Sequence, residues 1–225
     1  MTESAVPATP STPAQRERYD RVLAAATGIL SVGGEGSLQM KDLARSADVS
    51  LATLYRYFPS KEYLLLALSL ARYEAAVRKV LSERPSGDSP RERVTNHLLR
   101  EFRSQQRNLR LTAALTNAVT QTDSAHSYMI EAIAHLHQQI LQHVANGDAA
   151  ISAERQRLLP VIIDIFGSAS RRWLNGMCSA AEARFQIRVG CHLLDLSDEQ
   201  IAAEFERGAL VGDLAGTGPG WRTAL

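Results

Sequence analysis

The chain has 225 residues, of which 45% are hydrophobic and 22% charged, an ordinary composition for one large globular domain or two small ones. Its net charge of +1 neither requires nor excludes a nucleic-acid partner, so evidence for one has to come from a motif. No apolar run approaches the roughly 20 residues that cross a bilayer, and no secretory signal opens the chain. We therefore expect a cytoplasmic protein without a membrane partner.

Apolar residues recur with a helical period along the chain, and no stretch shows the alternation of a strand, which predicts an all-α fold. Residues 1–14, with three prolines, are expected to form a disordered arm, and residues 208–225 a flexible glycine-rich tail. Pro160 either kinks a helix or marks its true start. In chain order, helices are predicted at about 15–32, 39–47, 51–58, 60–83, 91–106, 108–121, 123–146, 153–178 and 180–196, with a short one from Ser197.

The stretch SLATLYRYFPSKEYL, residues 50–64, carries the most specific local pattern. Its short helix follows another short helix after the turn ADVS, which is the arrangement of a helix-turn-helix. The second helix of such a motif fits the major groove of DNA, about 12 Å wide. With Ser50 as the cap, Ala52 and Thr53 lie in the first turn, the part that reaches base edges.

The rest of this short helix predicts contacts with the DNA backbone. Leu54 and Phe58 are four residues apart and are expected to pack inward, leaving Tyr55 to Tyr57 on the outer face. Lys61 opens the next helix at the positive end of its dipole, so we expect a negative charge from outside the chain, a phosphate, to pair with it. The alternative, in which the helix packs on the first helix and Lys61 is solvated, stays open.

The segment GSLQMKDLARSADVSLATLYRYFPSKEYLL resembles the DNA-binding segment of the TetR family of regulators. The resemblance implies a three-helix DNA-binding head, residues 15–61, and a larger helical domain, residues 62–207, that binds a ligand and forms a homodimer. Carried over position by position, the implied DNA contacts are Gln39, Lys41, Ser50, Ala52, Thr53, Tyr55, Tyr57 and Lys61.

The segment also departs from the family pattern. Gln39 stands where the family usually has Thr or Ser, so the cap of its helix is open between Gln39 and Ser37. Asp48 and Ala52 replace two common glycines, and aspartate tolerates the left-handed conformation of a turn. The variant QM…ADV…TLYRYFPSK and the segment VIIDIFGSASRRWLNGMCSAAEARFQIRVGCHLL resemble actinobacterial steroid-catabolism repressors of the KstR type.

The same resemblance assigns two surfaces to the larger domain, although plain core packing explains the apolar pattern equally well. The implied effector is a small, hydrophobic molecule such as a lipid, a steroid or an acyl-CoA. The implied ligand pocket contains Phe102, Leu115, Met129, Ile133, Phe166 and Trp173. The implied dimer interface contains Leu158, Ile162, Ile165, Ala169 and Leu193.

Other chemistry finds little support. His135, His137 and His143 lack the spacing of three or four residues that a chelating pair on one helix needs, and no catalytic cluster is visible. We expect no enzyme, metal or cofactor. The sequence predicts a ligand-responsive repressor that binds a palindromic operator as a homodimer and is released by its effector. Alternatives are an activator or ligand-independent regulator of the same fold, or a helical enzyme or carrier that keeps the head.

Overall fold

A computed structural model describes residues 7–121 and 126–214, without the side chains of residue 121 and residues 209–214. Within these ranges the regular structure is entirely helical, which confirms the all-α prediction. Short 3-10 turns lie at Glu35–Ser37 and His192–Asp195. The α-helices are α1 Pro13–Gly33, α2 Met40–Ser46, α3 Leu51–Tyr57, α4 Lys61–Leu81, α5 Pro90–Arg107, α6 Leu109–Gln121, α7 Ser127–Asn146, α8 Ala153–Gln156, α9 Leu158–Leu174, α10 Ala180–Cys191 and α11 Asp198–Leu214.

The first helix begins earlier than the sequence predicted. Thr12 and Gln15 form a capping box, and Pro13 occupies the first helical position, where its missing N–H costs nothing. The backbone N–H of Ala8 donates to the carbonyl of Arg56 in α3 at 2.9 Å. The expectation of disorder is therefore wrong for residues 7–14, while residues 1–6 lie outside the described residues.

Two other boundaries also differ. The predicted helix 153–178 is divided into α8 and α9, and Pro160 lies in the first turn of α9, where a helix needs no N–H donor. Helix α11 continues through Gly208 to Leu214, so the predicted start of the flexible tail at residue 208 is wrong. Residues 215–225 lie outside the described residues.

The helices enclose two apolar clusters. The head-side cluster contains residues of α1, α2, α3, α4 and α6, together with Met129 of α7. The distal cluster joins α5, the second half of α7, α9 and α10. Helix α4 contributes residues 64–68 to the first cluster and packs Tyr73, Val77 and Val80 against the second. One helix of about 30 Å therefore connects the head to the remainder of the protein.

Candidate DNA-binding surface and effector domain

The turn between α2 and α3 brings the two short helices together. Asp48 adopts a φ of 53°, the left-handed conformation that the sequence analysis assigned to it. The N–H of Val49 then donates to the carbonyl of Ala44 at 3.0 Å. Leu43 and Leu54 are fully buried beneath the turn, so both helices are fixed to the core by one face each.

Ser50 organises the start of α3. Its hydroxyl accepts a hydrogen bond from the N–H of Thr53 at 3.1 Å and donates to the Thr53 hydroxyl at 2.9 Å. Ser50 and Ala52 are exposed and Thr53 is half-buried. Tyr55 is 44% exposed, and Gln39 and Lys41 at the start of α2 are exposed as well. These six predicted contact residues therefore keep solvent-accessible surface on or beside α2 and α3.

Tyr57 does not belong to that surface. Its side chain is 2% exposed and lies edge-on to Tyr19 of α1, with ring centres 5.8 Å apart. The prediction of an outward-facing Tyr57 is wrong because it lies three residues after Leu54 and one before Phe58, and so shares their buried helix face. Among the described residues, its buried hydroxyl has no hydrogen-bond partner.

Lys61 has a partner within the chain. Its ammonium group donates to the backbone carbonyl of Glu35 at 2.7 Å and lies 3.7 Å from the Glu35 carboxylate. The 3-10 turn after α1 therefore supplies a partner that the sequence did not predict, and the contact of Lys61 with a phosphate stays a prediction. The side chain keeps 34% exposure, which leaves donors of the ammonium accessible.

Two further observations concern the start of α2 and the exposure of Arg56. Gln39 precedes α2 without a side-chain cap, and Ser37 instead donates to the Gly33 carbonyl at 3.0 Å, so neither open alternative caps the helix. Arg56 was expected on the outer face of α3 but was not among the implied DNA contacts. It is exposed, and its guanidinium lies 5.2 Å from the Tyr57 ring centre. Its position next to Tyr55 in the sequence could have indicated it as a further candidate contact.

The six predicted pocket residues do not form one group. Phe102, Phe166 and Trp173 meet in the distal cluster, where the Phe102 and Trp173 rings lie 5.0 Å apart. Leu115 and Met129 instead belong to the head-side cluster. Ile133 is buried but belongs to neither cluster. The predicted pocket therefore spans the boundary between the two clusters.

The predicted dimer residues are mostly internal. Ile162 and Ala169 are fully buried within the protomer, so their assignment to an external interface is wrong. Ile165 packs against α10, where a Cβ on Gly190 would lie 2.9 Å from its Cγ2, and Leu158 and Leu193 pack partly buried on the distal cluster. The exposed apolar side chains on α9 and α10 are instead Val161, Phe185 and Val189.

Two absences hold for the part of the chain that the structure describes. It contains no group of three His, Cys, Asp or Glu side chains arranged to hold a metal ion. It also contains no helix that combines the length and the apolar character needed to span a membrane.

These features, two short helices that meet at a tight turn and keep exposed faces on an all-helical body, define a helix-turn-helix protein. Residues 22–68 match the family described as bacterial regulatory proteins, tetR family. Residues 87–194 match the family described as tetracyclin repressor-like, C-terminal domain.

Full-length relatives agree with this class. The transcriptional repressor KstR of Mycolicibacterium smegmatis is 32% identical over 187 residues, which cover 83% of this chain and 91% of the relative. KstR of Mycobacterium tuberculosis is 31% identical over 80% of this chain and 82% of its own length. The chain belongs to the TetR family of transcriptional regulators, and its resemblance to KstR-type repressors is confirmed.

Solved structures share the fold. A TetR transcriptional regulator from a Rhodococcus species is 28% identical with a TM-score of 0.72, covering 81% of this chain and 97% of the other. The Bacillus subtilis regulator FadR, solved in complex with stearoyl-CoA, is 15% identical with a TM-score of 0.57, covering 78% of this chain and 97% of the other. At that identity the likeness concerns the fold alone.

Proposed function

We propose that the protein is a homodimeric, ligand-responsive repressor that binds a palindromic operator and leaves it when a small apolar effector binds the larger domain. Its relatives named as repressors share most of its length. Such a protein acts on double-stranded DNA in the cytoplasm. These three parts of the proposal depend on one another, because an effector can release the protein only from an operator that it binds.

The observation that carries the proposal is the division of α3 into two faces. Leu54, Tyr57 and Phe58 anchor it in the head-side cluster. Ser50, Ala52 and Tyr55 remain accessible on the other side, with the Thr53 hydroxyl held at the helix start. A helix that is fixed on one face and exposes small and hydroxyl-bearing side chains on the other can enter a major groove.

A dimer follows from the geometry of palindromic DNA. Two copies of α3 must lie about one DNA turn, roughly 34 Å, apart. Val161, Phe185 and Val189, which are 46%, 66% and 50% exposed, give α9 and α10 an apolar surface for self-association around a two-fold axis. We assign the dimer contact to this surface in place of the buried residues Ile162 and Ala169.

Release requires that the effector bind one separation of the two heads better than the other. Helix α4 is suited to carry this change, since it packs in both apolar clusters and begins beside the reading helix. The Bacillus subtilis FadR, which shares only the fold, was solved with stearoyl-CoA, so a body of this shape can hold an effector with a long hydrocarbon part.

The test is footprinting of the purified full chain on the DNA upstream of its own gene at low salt. We expect a protected palindrome, and we expect Thr53→Ala to lose base preference by about 1 kcal/mol while keeping affinity for random DNA. In a deletion strain, a reporter on that promoter should rise. An unprotected promoter would overturn DNA recognition, and a falling reporter would indicate an activator.

A further inference from the structure

A group of polar side chains lies inside the larger domain. It consists of Tyr73 of α4, His97 and Glu101 of α5, and His137 of α7. The Nε2 atoms of His137 and His97 lie 3.6 Å and 3.9 Å from the same Glu101 Oε2. The ring centres of Tyr73 and His137 are 5.4 Å apart. Three helices therefore bring four hydrogen-bonding side chains to one place, which we call the polar centre.

The polar centre lies between the two apolar clusters. Along α7, Met129 belongs to the head-side cluster and Ile140 to the distal cluster, with His137 between them. Tyr73 packs against the distal cluster, a little more than one helical turn after the last α4 residue of the head-side core. The Phe166 ring of α9 lies edge-on to His137, with centres 6.0 Å apart. Four helices thus surround polar side chains with apolar ones.

The protein's own hydrogen bonds leave the polar centre incomplete. His137 is 6% exposed, and its Nε2 has no hydrogen-bond partner within the described residues. The 3.6 Å to Glu101 is too long for a hydrogen bond. A buried polar atom without a partner costs free energy, so a ligand atom that supplies the partner gains it. Glu101 keeps 25% of its side chain exposed, which gives access from the surface.

The environment favours uncharged groups. Burial lowers the pKa of His137 to about 4 and also lowers the pKa of His97, against a smaller opposing effect of Glu101. Burial raises the pKa of Glu101, with His97 acting in the opposite direction, and raises the pKa of Tyr73. A carboxylate entering here would meet the Glu101 carboxyl in a largely buried site. The charges of Arg72 and Arg100 act on Tyr73 and His97, but both arginines are exposed, so no buried cation offsets the cost of burying the carboxylate. A hydroxyl or ketone avoids this cost.

We propose that the polar centre recognises an uncharged oxygen, a hydroxyl or a ketone, on an otherwise apolar effector. Neutral histidine and tyrosine each offer a donor and an acceptor, which is the pairing that such an oxygen needs. The hydrocarbon parts of the molecule would contact the apolar side chains on either side. The inference rests on the proposed function and excludes a free carboxylate at this position of the effector.

The test uses calorimetric titration of the full chain with two sets of probes. The fused-ring set is androstanone, androstanol, androstane and androstane carboxylate, and the linear set is dodecanol, dodecane and dodecanoate. In at least one set, we expect the ketone or alcohol to bind at least about tenfold tighter than both the hydrocarbon and the carboxylate.

Two variants locate the preference. Tyr73→Phe removes one hydroxyl and keeps the ring, and His137→Phe removes the unpartnered nitrogen. Each should reduce the preference for the oxygen to below about threefold while leaving hydrocarbon affinity unchanged. The exposed residues Tyr128 and His135, on the first half of α7, provide the controls Tyr128→Phe and His135→Phe, which should keep the preference.

Four results would overturn the inference: equal affinity for oxygenated and hydrocarbon probes, a preference for the carboxylate, an unchanged preference in both centre variants, or no binding of any alcohol or ketone. Promoter binding by each variant without probe is measured in parallel. If the wild-type chain did not bind the promoter but still bound the probes selectively, the repressor function would be overturned and the inference about the polar centre would be supported.

Discussion

At the scale of single residues, Lys61 has a partner within the chain and is also a predicted DNA contact. Its ammonium group is shared between the Glu35 backbone carbonyl, the Glu35 carboxylate and solvent. The side chains of Lys61 and Glu35 are both more than one-third exposed, so the ion pair contributes under about 1 kcal/mol to stability. The remaining donors of the ammonium are available to a phosphate.

Two substitutions that break this ion pair should have opposite effects on DNA. Lys61→Gln should weaken binding to operator and random DNA alike and reduce the salt slope by about 1, because one phosphate contact is lost. Glu35→Gln should strengthen binding to both, because a competing carboxylate is removed. Fluorescence anisotropy over a salt series measures these effects. Equal changes in both variants would mean that Lys61 acts only within the head.

Tyr55 and Tyr57 form a matched pair on one short helix. Tyr55→Phe should reduce operator affinity about fivefold, because an exposed hydroxyl that donates to phosphate is lost. Tyr57→Phe should leave affinity unchanged and raise the free energy of unfolding by up to about 1 kcal/mol, because it removes a buried hydroxyl without a partner. Urea denaturation and anisotropy distinguish the two; the reverse pattern would contradict the burial of Tyr57.

At the scale of elements, α3 is too short to be stable by itself and depends on its cap and its buried face. The Ser50 hydroxyl both caps the helix and holds the Thr53 hydroxyl. The position of the Thr53 hydroxyl is therefore coupled to the start of the helix, so we expect a change at Ser50 to affect both stability and DNA binding.

Three substitutions at Ser50 separate these effects. Ser50→Ala should cost about 1 kcal/mol of stability and weaken operator binding, since the cap is lost. Ser50→Asn should restore the stability. Ser50→Asp should also cap the helix but should weaken binding to all DNA, because its charge faces the phosphates. Chemical denaturation and anisotropy measure the three variants, and full affinity in Ser50→Asp would place this helix start away from DNA.

At the scale of the whole molecule, the proposed reading of a palindrome depends on the proposed dimer surface of α9 and α10. Ile165 packs closely over Gly190, so the two helices approach each other closely there. Phe185 and Val189, one turn apart on α10, leave their side chains on the outer face of that pair. A closely packed pair of helices with apolar residues outside is suited to a two-fold contact.

A charge on this face should dissociate the dimer. Phe185→Glu should shift the protein to a monomer at micromolar concentration and reduce operator affinity at least about tenfold, because two charges would be buried together. Phe205→Glu is the matched control, since Phe205 is also exposed, at 61%, but lies on α11. Sedimentation velocity measures both. If the Phe185→Glu variant stayed dimeric, or if the Phe205→Glu variant became monomeric, the dimer interface would have to lie elsewhere.

Local sequence was sufficient for much of the fold. Helix starts at Ser50 and Ser60, the left-handed turn at Asp48 and the buried pair Leu54 and Phe58 follow from interactions within four residues. The segment in residues 36–65 was specific enough to indicate the family, which the full-length relatives then confirmed. These features are local because caps, turns and helix faces depend on near neighbours in the chain.

The tertiary structure alone decided which residues meet across the chain. The Lys61 partner is Glu35, 26 residues earlier, and Tyr57 is covered by Tyr19 of α1. Ile162 and Ala169 proved internal, and Tyr73, His97, Glu101 and His137 came together from three helices. A helical period determines that one face is buried, but the neighbour that covers it depends on how separate helices pack, and no local pattern records that.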